Sequence, residues 1–330
     1  MQIDITTEEI TPRRQTFSHI AARYGKDVPA SRYDEGTLDV QARTNFHYRP
    51  LWQPEYEIFD TRRTAIEMAD WYAFRDPRQL YYATYNMSRA SMNQAADRAF
   101  EFVEERSLLD HVEPDWLAVV CRALVPMRHY EWAADLNSLR ICDFGYGTRI
   151  TSTAIFAAAD RLGMAQVLTR IGLLIGRYEI TTLDDARQAW LEGAEWQPIR
   201  HMVEDSLVVQ DWFETVVAQY LGMDGILHPL VYKTFDDAGL HKGGTAISMM
   251  CEFMADWMPE NARWVDAFIQ TAVAESEHNA KLLGSWYTTW RDRAADAASA
   301  LSSAVLGDAT PVAAIVATLD ARAASLGLTI

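Results

Sequence analysis

Cysteine is scarce in this sequence, and long apolar runs are missing. The three cysteines are Cys121, Cys142 and Cys251, an odd number without a short ligand spacing such as Cys-x-x-Cys. These features exclude a disulfide framework and a cysteine-based zinc site, and they indicate reduced thiols in a cytoplasmic protein. No segment approaches the ~20 uninterrupted apolar residues of a membrane span, and the N-terminus lacks the apolar core of a signal peptide.

Basic residues are outnumbered by acidic ones. The chain carries 30 Lys and Arg residues against 46 Asp and Glu residues, which gives a formal net charge of −16. This balance repels the phosphate backbone of nucleic acids and the anionic headgroups of lipids alike. The sequence therefore predicts that neither nucleic acid nor a membrane is a partner of this protein.

Residues 1–60 lack a sustained helical period and are interrupted by prolines. Flexible tails are poor in aromatic residues, whereas this stretch is rich in them. We therefore predict an extended N-terminal arm that lies in a groove of its own core or of a partner, and both alternatives stay open. The aromatic residues of the arm that we expect to contact a partner subunit are Phe46, Tyr48, Trp52 and Tyr56.

From residue 61 onward, helix-compatible segments follow one another without a competing strand pattern. Apolar residues in 87–103 recur at the i, i+3, i+4, i+7 spacing of one helical face. The pattern predicts an all-α protein in which residues 61–292 form a bundle of long antiparallel helices and residues 293–330 form peripheral C-terminal helices. The predicted helical segments are 62–74, 78–110, 115–144, 148–177, 182–192, 196–221, 224–256, 260–292 and 311–326.

A first helical hairpin is predicted with its tip at Gly145-Tyr146-Gly147, because glycine supplies the backbone freedom of a tight reversal. Glu131 lies 15 residues before Tyr146, and Arg161 lies 15 residues after it. At ~1.5 Å per residue, both lie about 22 Å from the tip and therefore at the same height. We expect the two side chains to face each other.

A second hairpin is predicted about residues 257–259, because a proline there stops one helix. Glu275 lies 17 residues past Met258, and the residue at the mirror position is His241. Glu275 and His278 also form a Glu-x-x-His pair, a spacing that places a carboxylate and an imidazole on one helical face as ligands of a di-iron centre. The two hairpins together predict a four-helix core with an interior polar site.

The predicted interior site is incomplete as a di-iron centre, which needs two further glutamates and a second Glu-x-x-His. Glu131 supplies one carboxylate, but the second Glu-x-x-His position reads Arg161 and Met164, and residues 241–245 offer no acid. We therefore predict a vestigial metal site in which an ion pair between Glu131 and Arg161 replaces the charge of the metal. The alternative that these residues lie on solvated faces of an ordinary helical protein stays open.

The sequence resembles a known family in residues 71–85, 130–147 and 211–214, which read WYAFRDPRQLYYATY, YEWAADLNSLRICDFGYG and DWFE. These stretches are similar to the β (small oxygenase) subunit of bacterial multicomponent monooxygenases, first to that of phenol hydroxylase and then to that of toluene monooxygenase. The resemblance spans nearly the whole chain. It implies a ferritin-like, ribonucleotide-reductase-like helical fold that is related to the catalytic α subunit but lacks its di-iron site.

The resemblance also implies a function, that of a non-catalytic structural subunit in a cytoplasmic hydroxylase that converts phenol to catechol. The implied partners are an α subunit that holds the di-iron centre and a small γ subunit, in a dimer of αβγ. A reductase with FAD and a 2Fe-2S cluster would deliver electrons from NADH, and a small regulatory protein would dock on the complex. This chain would then have no catalytic or cofactor-binding residue and only vestigial metal positions, at Glu131, Arg161, Met164, Glu275 and His278.

Two alternatives remain beside this interpretation. A soluble helical binding protein would use the same interior as an apolar ligand pocket. A stand-alone ferritin-like di-metal oxidase would use Glu131, Glu275 and His278 together with further acids such as Asp135, Asp160 or Glu214.

Overall fold

A computed structural model of the protein describes residues 16–41 and 49–330, and in these ranges helices are the only regular secondary structure. The prediction of an all-α protein is confirmed. None of the helices in the described ranges combines the length and the apolar character needed to cross a membrane. The α-helices are α1 Ser18–Tyr24, α2 Arg32–Thr37, α3 Tyr82–Glu105, α4 Pro114–Val119, α5 Met127–Phe144, α6 Thr148–Ile175, α7 Thr181–Glu192, α8 Gln197–Ser206, α9 Trp212–Val216, α10 Asp224–Pro229, α11 Asp236–Gly239, α12 Thr245–Glu275, α13 Glu277–Leu306 and α14 Thr310–Ser325.

Helices α5 and α6 form the first predicted hairpin and pack against each other along their lengths. Gly145 follows the last residue of α5, and a Cβ atom on it would lie 2.4 Å from the carbonyl oxygen of Ile141. Gly147 precedes α6 with a φ of +94°, a left-handed conformation that glycine adopts without strain. The turn therefore requires glycine at both positions, and the predicted hairpin tip is confirmed.

The most deeply buried helical element runs from residue 212 to residue 239, and we call it the central helix. In this element α9, α10 and α11 are joined end to end by π-helical turns at Val217–Met223 and Leu230–Phe235. Residues 215–228 are all buried. Polar side chains in this stretch consequently lie inside the protein, where each needs a hydrogen-bonding partner.

The second predicted hairpin, about residues 257–259, is wrong. Helix α12 continues through Pro259 as a single helix of 31 residues. A proline inside a helix costs about 3 kcal/mol. Trp257 and Trp264, which lie on the same helix, are at most 1% exposed, and the burial of such large apolar side chains offsets that cost.

The reversal that precedes α12 lies at Gly243 and Gly244. Gly243 has a φ of +80°, and a Cβ atom on it would lie 2.4 Å from the carbonyl oxygen of His111. His241, the predicted mirror residue of Glu275, lies in the short turn just before this reversal. The two residues are therefore not at matched heights of one hairpin.

The break between α12 and α13 lies at Ser276, whose backbone is extended. Its hydroxyl accepts a hydrogen bond from the backbone N–H of Asn279 at 3.1 Å and so caps the start of α13. Glu275 ends one helix, and His278 belongs to the first turn of the next. The predicted Glu-x-x-His pair therefore does not share a helical face, and both of its members are exposed.

Residues 62–74 do not form the predicted helix. After a single turn of 3₁₀-helix at Thr61–Arg63, the chain runs irregularly to the start of α3. Three backbone N–H groups of this segment donate to the side chains of Asp211, Asn279 and Glu275 at 2.7, 3.2 and 3.0 Å. Since distant side chains satisfy these donors, the segment is stable without helical hydrogen bonds.

The part of the arm in residues 16–41 packs on its own chain. The carboxylate of Asp34, in α2, accepts a hydrogen bond from Arg149 of α6 at 2.7 Å, and both side chains are buried. Ile20 and Leu38 form a small apolar cluster with Tyr72. For this part of the arm, the structure therefore shows the first of the two alternatives, a groove of its own core.

The four aromatic interface candidates lie further along the arm. Trp52 is 73% exposed. Tyr56 is half-buried, with the guanidinium carbon of Arg63 at 5.0 Å from its ring. Phe46 and Tyr48 lie outside the residues that the structure describes.

The predicted boundary between residues 292 and 293 falls inside α13, a helix of 30 residues. Ala294, Ala298 and Leu301 are fully buried, so the second half of α13 belongs to the core and is not peripheral. Small side chains at four-residue spacing allow the helix to pack closely against its neighbours. Helix α14 follows after Gly307 and packs on α13 and the central helix.

Candidate functional site

A cluster of buried polar side chains lies where α5, α6, the central helix and α12 meet. Helix α5 contributes Glu131, α6 contributes Arg161, the central helix contributes Asp224 and His228, and α12 contributes Trp257. Each of these residues is at most 2% exposed. We call these five residues the core cluster.

Arg161 lies at the centre of the core cluster. Its Nη1 donates to Oε2 of Glu131 at 2.7 Å and lies 3.0 Å from Nε2 of His228, and its Nη2 donates to Oδ2 of Asp224. The guanidinium carbon lies 4.4 Å from the centre of the Trp257 ring, in a cation–π contact. The predicted ion pair between Glu131 and Arg161 is confirmed, and a second acid extends it.

Further hydrogen bonds surround the core cluster. The hydroxyl of Tyr130 donates to Oδ1 of Asp224 at 2.6 Å, and the amide of Gln219 donates to the same oxygen at 3.0 Å. Asn137 donates to the amide oxygen of Gln219 at 2.9 Å. A buried carboxylate with several donors is stabilised in its charged form, because these bonds replace those lost with water.

The electrostatics of the core cluster favour charged side chains inside the protein. Burial by itself raises the pKa of Glu131, but the charge of Arg161 outweighs it and lowers that pKa below its ordinary value. Burial lowers the pKa of Arg161, and the carboxylates of Asp224 and Glu131 more than reverse this effect. The pair is therefore ionised at neutral pH, with one fixed cation between two carboxylates.

A second buried ion pair lies one residue away on α6. Asp160 accepts hydrogen bonds from Nε and Nη2 of Arg89 at 2.7 and 2.8 Å, and Arg89 also binds Glu260 at 2.9 Å. The indole N–H of Trp257 donates to Asp160 at 2.8 Å, while its ring contacts Arg161. Trp257 thus connects the core cluster with this second network.

The structure brings together some of the predicted site residues and separates others. Glu131 and Arg161 form the buried pair, and Met164 is fully buried one turn further along α6. Glu275 and His278 are exposed at the junction of α12 and α13, because the helix breaks between them. The ligand set of the alternative di-metal oxidase, Glu131 with Glu275 and His278, is therefore not assembled.

The further acids considered for that oxidase have other environments. Asp160 is bound to Arg89, and Glu214 accepts a hydrogen bond from the indole of Trp290 at 3.0 Å. Asp135 is 4% exposed, and its Oδ1 has no hydrogen-bond partner among the described residues.

Sequence reasoning missed Asp224 and His228. They lie in residues 215–232, which read TVVAQYLGMDGILHPLVY. An apolar run of this length predicts a helix buried on every side, so a polar residue within it must lie in the interior. The spacing of four residues places the two side chains on one helical face. This pattern could have identified both residues from the sequence.

The donor set of the core cluster does not fit a two-metal centre, which takes about four carboxylates and two imidazoles. The cluster offers only Glu131, Asp224 and His228, and the guanidinium of Arg161 binds both carboxylates. A fixed cation repels a metal ion and keeps these oxygens occupied. Within residues 16–41 and 49–330, no group of three or more His, Cys, Asp or Glu side chains could hold a metal ion.

Comparison with known proteins gives the family of the chain. Residues 52–276 match the model of the methane/phenol/alkene hydroxylase family. The chain belongs to this family. Within it, the chain is 43% identical to the oxygenase component DmpL of phenol 2-monooxygenase from Pseudomonas sp. (strain CF600), over 93% of this chain and 92% of that protein. It is 23% identical to the hydroxylase component subunit beta of the toluene-4-monooxygenase system from Ectopseudomonas mendocina, over 94% of this chain and 97% of that protein.

Two solved structures also match the chain. The crystal structure of xenon-pressurised phenol hydroxylase from Pseudomonas sp. OX1 matches with a TM-score of 0.93 and 40% identity, and the match covers 99% of both chains. Toluene 4-monooxygenase matches in fold, with a TM-score of 0.76 and 22% identity over 90% of this chain and 99% of that chain. The predicted ferritin-like fold and the resemblance to oxygenase β subunits are confirmed.

Proposed function

We propose that this chain is the non-catalytic β subunit of the hydroxylase component of an NADH-dependent di-iron aromatic monooxygenase that converts phenol to catechol. The observation that carries the proposal is the guanidinium of Arg161, fully buried between Glu131 and Asp224 where four helical elements meet. The reaction class is supported by relatives that are oxygenase components of phenol 2-monooxygenases. In this proposal the chain has no catalytic residue and binds no cofactor or metal.

Oxygen chemistry then takes place in a partner of the complex. The proposed partners are a catalytic α subunit that holds the di-iron centre and a small γ subunit, in a dimer of αβγ. A reductase with FAD and a 2Fe-2S cluster supplies electrons from NADH, and a regulatory protein acts on the assembled hydroxylase. The name of one relative, a hydroxylase component subunit beta, supports a multi-subunit assembly.

The internal ion pair gives this subunit a metal-independent core. Buried carboxylates that lack a counter-charge are strongly destabilising, and removing one partner of a buried pair costs about 3–5 kcal/mol. In this chain Arg161 supplies that counter-charge covalently, so it cannot dissociate as a metal ion can. The bundle therefore keeps its shape as a scaffold whether or not iron is available.

The arm is proposed as a docking element for the partner subunits. Trp52 is 73% exposed, and large exposed aromatic side chains are typical of protein interfaces. Tyr56 lies near it in the chain and is half-buried. Phe46 and Tyr48 belong to the same sequence-based proposal and lie outside the described residues.

Reconstitution of the hydroxylase tests the proposed function. The α and γ subunits from the same source are prepared with and without this chain, and phenol oxidation is measured with the reductase, the regulatory protein and NADH. We expect full activity only when this chain is present, and we expect that activity to survive Glu275→Gln. Phenol oxidation by this chain without α would contradict the proposal, as would full activity of α and γ alone.

A further inference from the structure

A small cavity lies between two π-helical turns and the first half of α12. One turn, Val120–Leu124, directly follows α4, and the other is the turn Leu230–Phe235 of the central helix. The space open to the centres of water-sized molecules is about 30 Å³. We call this space the π cavity. The residues of the two turns that line it are Val120, Ala123, Leu124, Val231, Tyr232 and Phe235.

The backbone of the π-helical turns explains why space remains in this part of the core. In the first turn, the N–H of Val125 donates to the carbonyl oxygen of Val120 at 3.0 Å, five residues back. Such a turn shifts the side chains that follow it off the regular helical spacing. Where two of these turns face each other, their side chains interdigitate less completely than those of regular helices, and a gap remains. Turns of this kind are rare and are frequently found at functional sites.

The wall of the π cavity is largely apolar. Ala123, Val231 and Ile247 contribute aliphatic groups and are at most 5% exposed. On the side of α4 the wall is the buried ring of Trp116. This ring lies against Gly239, where a Cβ atom would come within 2.3 Å of the indole nitrogen. The aliphatic and aromatic groups offer a molecule in the cavity dispersion contacts without hydrogen bonds.

The polar groups of the wall have other contacts. The hydroxyl of Tyr232 donates to Glu131 of the core cluster at 3.4 Å, and the carboxyl of Asp236 accepts a hydrogen bond from the hydroxyl of Ser248. Burial raises the pKa of Cys251, so this residue lines the cavity as an uncharged thiol. A buried water molecule needs two to four polar partners, and these contacts leave the wall short of them. The π cavity therefore favours an apolar molecule over water.

The volume of the π cavity fits a diatomic gas. One water-sized molecule requires about 10–15 Å³ of such space, so the cavity has room for roughly two adjacent positions. The two atoms of dioxygen are closer together than two neighbouring water molecules, and dioxygen therefore fits. An aromatic ring does not fit, because a cavity that holds benzene has a volume of about 150 Å³.

A surface groove adjoins the π cavity. It lies between the central helix and α12, has a volume of about 370 Å³, and is lined in part by Pro229, Met254 and Met258. Tyr232 and Asp236 line both the groove and the cavity, so the two spaces meet at these side chains. A gas molecule that enters the groove reaches the cavity by passing two side chains, without the opening of a helix.

We propose that the π cavity is a binding site for one molecule of dioxygen. Binding of a small apolar gas follows from the size and chemistry of the cavity. The choice of dioxygen among such gases rests on the function proposed above, because an oxygenase consumes this gas. The binding involves no chemical step and no charged group.

Relaxation of methyl groups by dioxygen tests the inference, because dioxygen is paramagnetic and accelerates the relaxation of nuclei that it contacts. The full chain, labelled at the methyl groups of Ile, Leu and Val, is studied by NMR spectroscopy under dioxygen and under the same pressure of nitrogen. The controls are Val265 and Ile269, which are fully buried on α12, about 27 and 33 Å past Ile247 along the helix. We expect the increase in relaxation rate at Val120, Val231 and Ile247 to be about threefold or more that of the controls. Equal increases would overturn the proposal.

Two substitutions of one cavity residue locate the gas. Cys251→Leu fills the π cavity, and we expect it to lower the increase at Val231 and Ile247 to the level of the controls. Cys251→Ala enlarges the cavity at the same position, and we expect it to keep the effect. Ala123→Val fills the cavity from the opposite wall and replaces Cys251→Leu if that variant does not fold, which its melting curve shows.

The outcomes separate this inference from the proposed function. A relaxation effect that persists unchanged in the filled variants would place the gas elsewhere and overturn the assignment of the cavity. The effect is measured on this chain alone, whereas the proposed function is tested by reconstitution with α and γ. A hydroxylase that needs no contribution from this chain would therefore overturn the proposed function and leave the relaxation result intact.

Discussion

Glu131 and Glu275, which the sequence placed in one site, lie in opposite environments. Glu131 is fully buried and bound to Arg161, whereas Glu275 is exposed at a helix end and accepts a backbone hydrogen bond from Ala69 at 3.0 Å. Both positions were found by counting residues from a turn. The comparison shows that such counting is reliable only where the backbone geometry requires a turn at the counted position. Whether the carboxylate then forms an ion pair in the core or a hydrogen bond at the surface depends on its burial.

Replacement of Arg161, the central cation of the core cluster, is expected to cause the largest loss of stability. Arg161→Met leaves Glu131 and Asp224 buried without a counter-charge, which should lower the free energy of unfolding by about 3–5 kcal/mol. The matched control is Arg170→Met on the same helix, whose exposed pair with Asp97 should contribute less than about 1 kcal/mol. Urea unfolding at pH 7 measures both variants. Equal stability of the two would show that the core cluster is not the buried pair described above.

A neutral version of the core cluster sharpens this test. In the triple variant Glu131→Gln, Arg161→Met and Asp224→Asn, no buried charge lacks a partner. We expect it to regain most of the stability that Arg161→Met alone loses, because the penalty comes from the uncompensated carboxylates and not from lost packing. A triple variant no more stable than Arg161→Met would assign the loss to packing around the guanidinium.

The two glutamates can be compared directly by the same substitution. Glu131→Gln weakens two charged contacts of a fully buried side chain, with Arg161 and with His228 at 3.1 Å, and should cost about 2–3 kcal/mol. Glu275→Gln keeps an acceptor for the single backbone hydrogen bond and should cost less than about 0.5 kcal/mol. Urea unfolding of the pair measures the difference, and similar costs would refute the contrast between the two regions.

The pH dependence of stability should also report the environment of Glu131. Burial raises the pKa of Glu131, yet the charge of Arg161 lowers it to about 2 in the folded chain, against about 4.3 when unfolded. The contribution of the ionised Glu131 to the free energy of unfolding is therefore nearly complete above about pH 4.5, and it is lost as the pH falls toward 2. The stability difference between wild type and Glu131→Gln should shrink over that range. A stability difference that stays constant over that range would count against the environment assigned to Glu131.

The smallest expected effect concerns Asp135, a buried carboxyl whose pKa is shifted in the opposite direction to that of Glu131. Burial raises its pKa in the folded chain, so its destabilising charge appears as the pH rises through that raised pKa. Asp135→Asn should stabilise the isolated chain by about 0.5–1 kcal/mol at pH 7 and by less at pH 4. Thermal unfolding at the two pH values measures this. A loss of stability at pH 7 would show that the carboxylate has a partner.

The sequence was sufficient where one residue type determines the local geometry. Gly145 and Gly147 fix the hairpin, and the count from its tip correctly placed Glu131 opposite Arg161. It was insufficient where tertiary packing overrides a local rule: Pro259 remains inside a helix because neighbouring tryptophans are buried.

The helix break and the second acid required other signals. The hydroxyl of Ser276 accepts a hydrogen bond from the backbone N–H of Asn279 and so starts a new helix, α13, directly after α12, and this capping pattern was present in the sequence. Asp224 was hidden in an apolar run, and its meeting with Arg161 depends on how the central helix lies against α6. No residue count along the chain gives that contact, because it arises between elements that are not joined by a short turn.

Iron binding by the purified chain tests most directly the claim that a fixed cation takes the place of a metal centre. The chain is loaded anaerobically with ferrous iron and passed through a desalting column, and bound iron is measured by elemental analysis beside Glu131→Gln. The claim predicts no iron above the level of that variant. Two iron ions per wild-type chain, lost in Glu131→Gln, would contradict it.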